Sequence, residues 1–138
     1  MIIHVRGERK DKMSEDVYKR ALEIVKSNCE PEQKIQLHSF HGGIKQVQEW
    51  RRNFPNTYFS FSMLCKGFNR EQKQGLIAVP EHRLLLETDS PYLSLTSDIQ
   101  ANHPRYLGNV ALIVAGPREM PIAGTLAITM ENGRGLFS

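Results

Sequence analysis

Three observations predict an α/β fold with a parallel sheet, amounting to about four βα units of a TIM-like barrel. Strand-like and helix-like segments alternate four times along the 138 residues, and strands separated by helices run parallel with right-handed connections. The run Leu84-Leu85-Leu86 is continuously apolar, as expected of a strand covered on both faces. It breaks directly into Glu87, Asp89 and Ser90-Pro91, and the carboxyl ends of parallel strands are where such folds hold ligands and reacting groups. A full eight-stranded barrel takes about 250 residues, so this length corresponds to half of one.

The elements follow in order. Met1 to Val5 reads as a strand and Arg6 to Lys12 as a charged loop. Ser14 suits a helix N-cap, with Glu15 and Asp16 favourable in the first turn and Val17, Ala21, Leu22 and Val25 at helical spacing up to about Asn28. Ile35 to Phe40 alternates as a strand. Gly42-Gly43 then opens a helix carrying Val47 and Trp50 to about Asn53. Tyr58 to Met63 is an aromatic-rich third strand, and Glu71 to Ala78 a short helix or turn stopped by Pro80. The fourth strand is Arg83 to Thr88. After a long loop to Pro104, Tyr106, Val110, Ile113 and Val114 share one face of a helix that Gly116-Pro117 stops. A last helix starts at Pro121 and is expected to fray at Asn132-Gly133.

Composition narrows the class. A chain 40% hydrophobic and 24% charged is that of an ordinary globular domain. The net charge of +3 permits an anionic partner such as nucleic acid without requiring one. Cys29 and Cys65 have no metal-binding spacing and suit a reducing compartment. The start Met1-Ile2-Ile3-His4 is too short and too quickly charged for a signal peptide, and no stretch has the apolar length to span a bilayer. An intracellular protein, cytoplasmic or nuclear, is the expectation, with no membrane partner.

The chemistry-bearing residues fall in one kind of place. His4 ends the first strand, His38 lies near the end of the second and Asp89 at the end of the fourth, so a barrel brings all three to one mouth. Imidazoles and a carboxylate converging there form a divalent-metal pattern. Singly, His38 equally suits a packed core histidine, His4 a partly exposed strand residue and Asp89 a turn former before Pro91. Period two places Glu87 on the face of Asp89, and Arg6 on the face of His4 two residues nearer the mouth. There Arg6 could clamp a phosphate or form a surface ion pair. His41, His82 and His103 fall in loops and read as solvated.

His4-Val5-Arg6, His38-Ser39-Phe40-His41-Gly42-Gly43, Leu86-Glu87-Thr88-Asp89-Ser90-Pro91-Tyr92-Leu93 and Asn102-His103-Pro104-Arg105-Tyr106-Leu107 resemble the successive signatures of the TatD-related deoxyribonucleases. These are metal-dependent hydrolases of the amidohydrolase type on a TIM-like barrel. The resemblance runs in order along nearly the whole chain, ending in Asn132 and Leu136-Phe137, and corresponds to the C-terminal half of the family domain. Residues 1–138 thus read as a single incomplete hydrolase domain. The resemblance implies that His4, His38 and Asp89 hold a divalent metal ion (Mg, Mn or Zn) and that Asp89 also orients or deprotonates the attacking water. It implies hydrolysis of phosphodiester bonds by a metal-activated water, on DNA more than RNA, with an exonuclease as one form. Arg6 is placed on substrate phosphate by its strand position.

Departures from the family pattern define the alternative. The family's first-strand His-x-His and its middle-strand glutamate do not occur here, and His41 and Gly43 differ from the usual Phe-Ser-Gly form. A two-metal site needs more ligands than these three. The alternative is a non-catalytic fragment or degenerate relative that packs with a partner. A half barrel leaves strand edges unpaired, so either the missing N-terminal half or a second copy, in a twofold homodimer, would complete the ring.

Overall fold

The computed structural model describes residues 1–8, 10–94, 96 and 101–138. Parts of two expected loops therefore lie outside the described residues: Arg9 in the first, and positions 95 and 97–100 before Pro104. Strands β1 (Ile2–His4), β2 (Ile35–His38), β3 (Thr57–Phe61) and β4 (Leu84–Leu86) form one parallel sheet in the order β1-β2-β3-β4. Helices α1 (Glu15–Asn28), α2 (Ile44–Asn53) and α3 (Arg70–Ala78) connect successive strands, and α4 (Leu107–Ala115) and α5 (Ile122–Phe137) follow β4. The predicted α/β architecture of four βα units is the observed one.

Alternation along the strands decides what faces what. Ile35 and Leu37 of β2, Phe59 and Phe61 of β3 and Leu84 of β4 are fully buried in one core with Tyr18, Leu22 and Val25 of α1 and Val47 and Trp50 of α2. Each such apolar side chain contributes roughly 1.5–3 kcal/mol by leaving water. With these positions committed to the helices, the intervening residues His4, Gln36 and His38 project from the opposite face. On that face Tyr58 and Leu85 form a second, smaller cluster with Leu136 of α5, so the C-terminal helix covers part of the inner surface.

Several local expectations are corrected. The last helix does not fray at Asn132-Gly133 but continues to Phe137. Asn132 donates to the carbonyls of Glu81 (2.7 Å) and Leu84 (2.8 Å), and Leu136 is buried, so tertiary anchoring overrides the weak helix propensity of glycine. Strand β2 stops at His38 rather than Phe40 because Ser39 adopts the left-handed region, φ 46°. Ser14 stands at the N-cap of α1, yet its side chain makes no capping bond and its backbone is left-handed, φ 50°. Its hydroxyl is used elsewhere. Short 3-10 turns at Met63–Gly67 and Glu81–Arg83 take up Met63 and Arg83, and the third strand is Thr57–Phe61 rather than Tyr58 to Met63 and the fourth Leu84–Leu86 rather than Arg83 to Thr88.

Candidate metal centre

Strand register builds the site. His4 of β1 is the direct partner of His38 of β2, and their rings lie 4.9 Å apart between centroids. The ladder continues past β4, since the Glu87 amide donates to the Phe61 carbonyl at 2.9 Å, which aims the Glu87 carboxylate at the same face. His38 is held between two carboxylates: Nδ1 is 2.8 Å from Glu87 Oε2, and Nε2 is 3.0 Å from Asp89 Oδ1. Asp89 reaches this position from a left-handed backbone, φ 56°, a conformation that aspartate tolerates better than most residues.

The turn behind Asp89 is strapped. The Tyr92 amide donates to the Asp89 carbonyl at 2.8 Å and the Asn102 amide to the Pro91 carbonyl at 2.9 Å. The buried Asn102 side chain also donates to the carbonyls of Thr88 and Tyr92. This gives a structural reason for the Asn102-His103-Pro104 motif. His103 Nδ1 accepts the Arg105 amide at 3.1 Å and caps the turn that leads into α4. An open cavity of about 860 Å³ has His4, Arg6, His38, His41 and Asp89 in its wall. The structure thus brings the three predicted metal-site residues and Arg6 to one mouth.

Glu87 is the residue that sequence reasoning left out of the site. Both of its oxygens are engaged, Oε2 by His38 Nδ1 and by Gln36 Nε2 at 3.2 Å, and Oε1 by the Ser39 amide. Period two already put it on the face of Asp89, which was the available signal. Desolvation by burial raises its carboxyl above the usual glutamate value, opposed by the neighbouring His38 and by the Ser39 amide. Although His4 is exposed, partial desolvation of its ring, with His38 and Arg6 nearby, lowers its imidazole below the usual histidine value against the pull of Asp89. The lowering at His4 favours the neutral ring that can offer a lone pair.

His41 also departs from its expected solvated state. Its Nδ1 faces the Ser39 carbonyl at 3.0 Å and its Nε2 the Ser14 hydroxyl at 2.9 Å.

The donor set fits a divalent cation. With Nδ1–H donating to Glu87, a neutral His38 presents the Nε2 lone pair to an oxygen of Asp89, and two lone pairs 3.0 Å apart need a proton or a cation between them. Ligands at about 2.0–2.1 Å from one ion, at right to tetrahedral angles, stand about 2.9–3.4 Å from each other. Donor atoms of His38, Glu87 and Asp89 lie within 4.8 Å of one another. Glu87 already accepts three hydrogen bonds, and its contact with Nδ1 suits it to orient His38.

Comparison with known proteins gives the family and the fold. A sequence model of the family described as TatD related DNase matches residues 1–138. The chain is 30% identical over 122 residues to the human 3'-5' RNA nuclease TATDN2, which covers 85% of this chain and 16% of that protein. It is 32% identical over 103 residues to the uncharacterized metal-dependent hydrolase YabD of Bacillus subtilis (strain 168), covering 73% of this chain and 40% of the relative. An uncharacterized amidohydrolase from Saccharomyces cerevisiae superposes with a TM-score of 0.73 at 16% identity, over 99% of this chain and 53% of its own. YjjV, a TatD homolog from Escherichia coli K12, gives 0.71 at 20% identity, over 99% and 49%. The four-stranded sheet is thus half of a TIM-like barrel, and the chain spans less than half the length of these curated relatives. By its match over residues 1–138, the chain belongs to the TatD related DNase family.

Proposed function

We propose that this chain is the metal-holding half of a phosphodiesterase that hydrolyses nucleic acid, DNA before RNA, with His4, His38 and Asp89 as ligands of one divalent ion. The observation that carries the reading is His38 fixed between Glu87 and Asp89, 2.8 and 3.0 Å away, at the carboxyl ends of parallel strands. A bound Mg, Mn or Zn ion supplies Lewis-acid activation of water and neutralises charge on the phosphoryl oxygens. The chain's own residues do the rest. His4 and His38 bind through ring nitrogens, Glu87 fixes the tautomer of His38, and Asp89 orients the attacking water and accepts its proton. Arg6, in the cavity wall, holds a substrate phosphate.

Residues that close the barrel would supply further ligands, from an N-terminal half-barrel or from a second copy of this chain. Among the described residues no helix is long and apolar enough to cross a membrane. The free thiols of Cys29 and Cys65 suit an intracellular, cytoplasmic or nuclear, setting. The family description favours DNA, while the name of the human relative makes RNA the competing substrate.

The test is hydrolysis of matched single-stranded DNA and RNA oligonucleotides with Mg, Mn and Zn, by wild type and Asp89→Asn. Metal-dependent cleavage of DNA in excess of RNA, lost in the variant, supports the reading. Preference for RNA corrects the substrate. A folded, metal-loaded protein that cleaves neither contradicts it.

A further inference from the structure

The β1–α1 loop, which carries Arg6, Lys10 and Lys12 beside Glu8 and Asp11, is fastened to the cavity through His41. His41 stands in the wall of the cavity together with Arg6, Glu8, Asp11, Lys12 and Ser14 of that loop and its end. Its hydrogen bonds assign its protons. Nδ1 faces a carbonyl oxygen, Ser39 O, at 3.0 Å, and so carries the hydrogen. In the neutral ring Nε2 then accepts from the Ser14 hydroxyl at 2.9 Å, which leaves Ser14 Oγ to accept the Gly7 amide at 2.8 Å. The chain Gly7 to Ser14 to His41 to Ser39 is complete in donors and acceptors.

Three independent features show how closely the loop is specified there. Ser14 is 1% exposed and adopts a left-handed backbone, φ 50°, which directs its hydroxyl away from the helix end it precedes. Gly7 passes so near that a Cβ would meet Ser14 Oγ at 2.6 Å, so the absence of a side chain there is a steric requirement. A second strap runs beside the first, since Gln72 Nε2 donates both to the Lys12 carbonyl (3.1 Å) and to the His41 carbonyl (2.9 Å). The charged loop is thereby tied to His41 directly at Ser14 and through Gln72 at Lys12, with Gly7 fastened to Ser14.

We propose that His41 is a positioning residue which, acting through Ser14, holds the cationic loop after β1 against the cavity and so sets how strongly the phosphate backbone of a single-stranded nucleic acid is gripped. This rests on the nucleic-acid reading above and assigns the grip to a part of the chain separate from the metal ligands. Cationic contacts to phosphate act as fixed points only when the backbone carrying them is fixed. A released loop trades a preorganised contact for one that must be ordered on binding.

The test uses binding of a fluorescein-labelled single-stranded oligodeoxynucleotide by anisotropy over a range of salt, beside metal titration and circular dichroism of each variant. His41→Ala is expected to raise Kd by about tenfold and to reduce the salt slope by about one phosphate contact, while metal affinity stays that of wild type. Ser14→Gly, which suits the left-handed backbone and removes the hydroxymethyl group, is expected to do the same, and the double variant no more than either single one. Wild-type affinity and slope in folded His41→Ala, additive effects in the double variant, or a parallel loss of metal binding would each overturn the proposal, as would a wild-type protein that does not bind the oligonucleotide. Binding that depends on His41 in a protein that cleaves nothing would leave the positioning role intact and remove the nuclease reading alone.

Discussion

His38 and Glu87 are joined by a 2.8 Å contact between Nδ1 and Oε2, and the other oxygen of the same carboxylate takes the amide of Ser39, the next residue after His38. One glutamate at the end of β4 therefore fixes both the ring and the backbone at the end of β2. The ring nitrogen left over, Nε2, points at Asp89. A strand-end pair separated by 49 residues in sequence has become a single rigid fixture.

Glu87→Gln tests that fixture. The carboxamide keeps the shape but leaves one acceptor oxygen for three N–H groups, so either the Ser39 amide or the pair formed by the His38 ring and the Gln36 side-chain amide loses its partner. Metal affinity measured by calorimetry is expected to fall about 10–100-fold with the circular dichroism spectrum unchanged. Wild-type affinity would mean that the orientation of His38 does not depend on Glu87.

Asn102→Ala tests the strap behind Asp89. Two carbonyls, Thr88 and Tyr92, lose the donor they share. A cost of about 1–3 kcal/mol in urea denaturation is expected for groups left unpaired. Metal affinity should fall at the same time because Asp89 loses its fixed turn. A stability loss with full metal affinity would separate the strap from the site.

Cys65 provides a pH test away from the metal. Burial pushes its thiol up to about 12 from 9.0, and it is 4% exposed while Cys29 is half-buried. A thiol-specific reagent at neutral pH should modify Cys29 and spare Cys65 until the protein is denatured. The sign for stability follows from linkage. The folded state favours the protonated thiol, so this contribution is complete below pH 9.0 and is lost as pH rises toward about 12. Cys65→Ser stability profiles compared with wild type across that window isolate it.

Leu136→Ala and Phe137→Ala differ by one position on the last turn of α5. Leu136 is buried against Tyr58 and Leu85, and its truncation is expected to cost about 2 kcal/mol or more. Phe137 is 67% exposed, and its truncation should change stability by less than about 0.5 kcal/mol. Equal effects in thermal or urea unfolding would remove α5 from its assigned cover of the inner face.

Much of this was legible in the sequence because periodicity and strand ends are local signals. The apolar alternation of Ile35 and Leu37 and the continuous Leu84-Leu85-Leu86 run located the strands, and the position of His4, His38 and Asp89 at strand ends located the mouth. What escaped depends on contacts between distant segments. Glu87 was visible as a neighbour of Asp89, but its bond to His38 follows from a register that crosses three strands. His41 looked like a loop histidine because its partner Ser14 lies 27 residues away, and Ser14 looked like a cap because the pattern of the first turn is the same whether its hydroxyl turns toward the helix or away. The last helix outran its glycines because Asn132 and Leu136 are held by β4 and its approach, which no window of α5 contains.

The most direct test of the account is calorimetric titration of the purified chain with Zn and Mn, wild type beside His4→Ala, His38→Ala and Asp89→Ala, each with its circular dichroism spectrum. The account predicts stoichiometric binding by wild type, abolished in His38→Ala and Asp89→Ala and weakened in His4→Ala, with all variants folded. A folded wild-type chain that binds neither metal, or binding that survives His38→Ala undiminished, would contradict it.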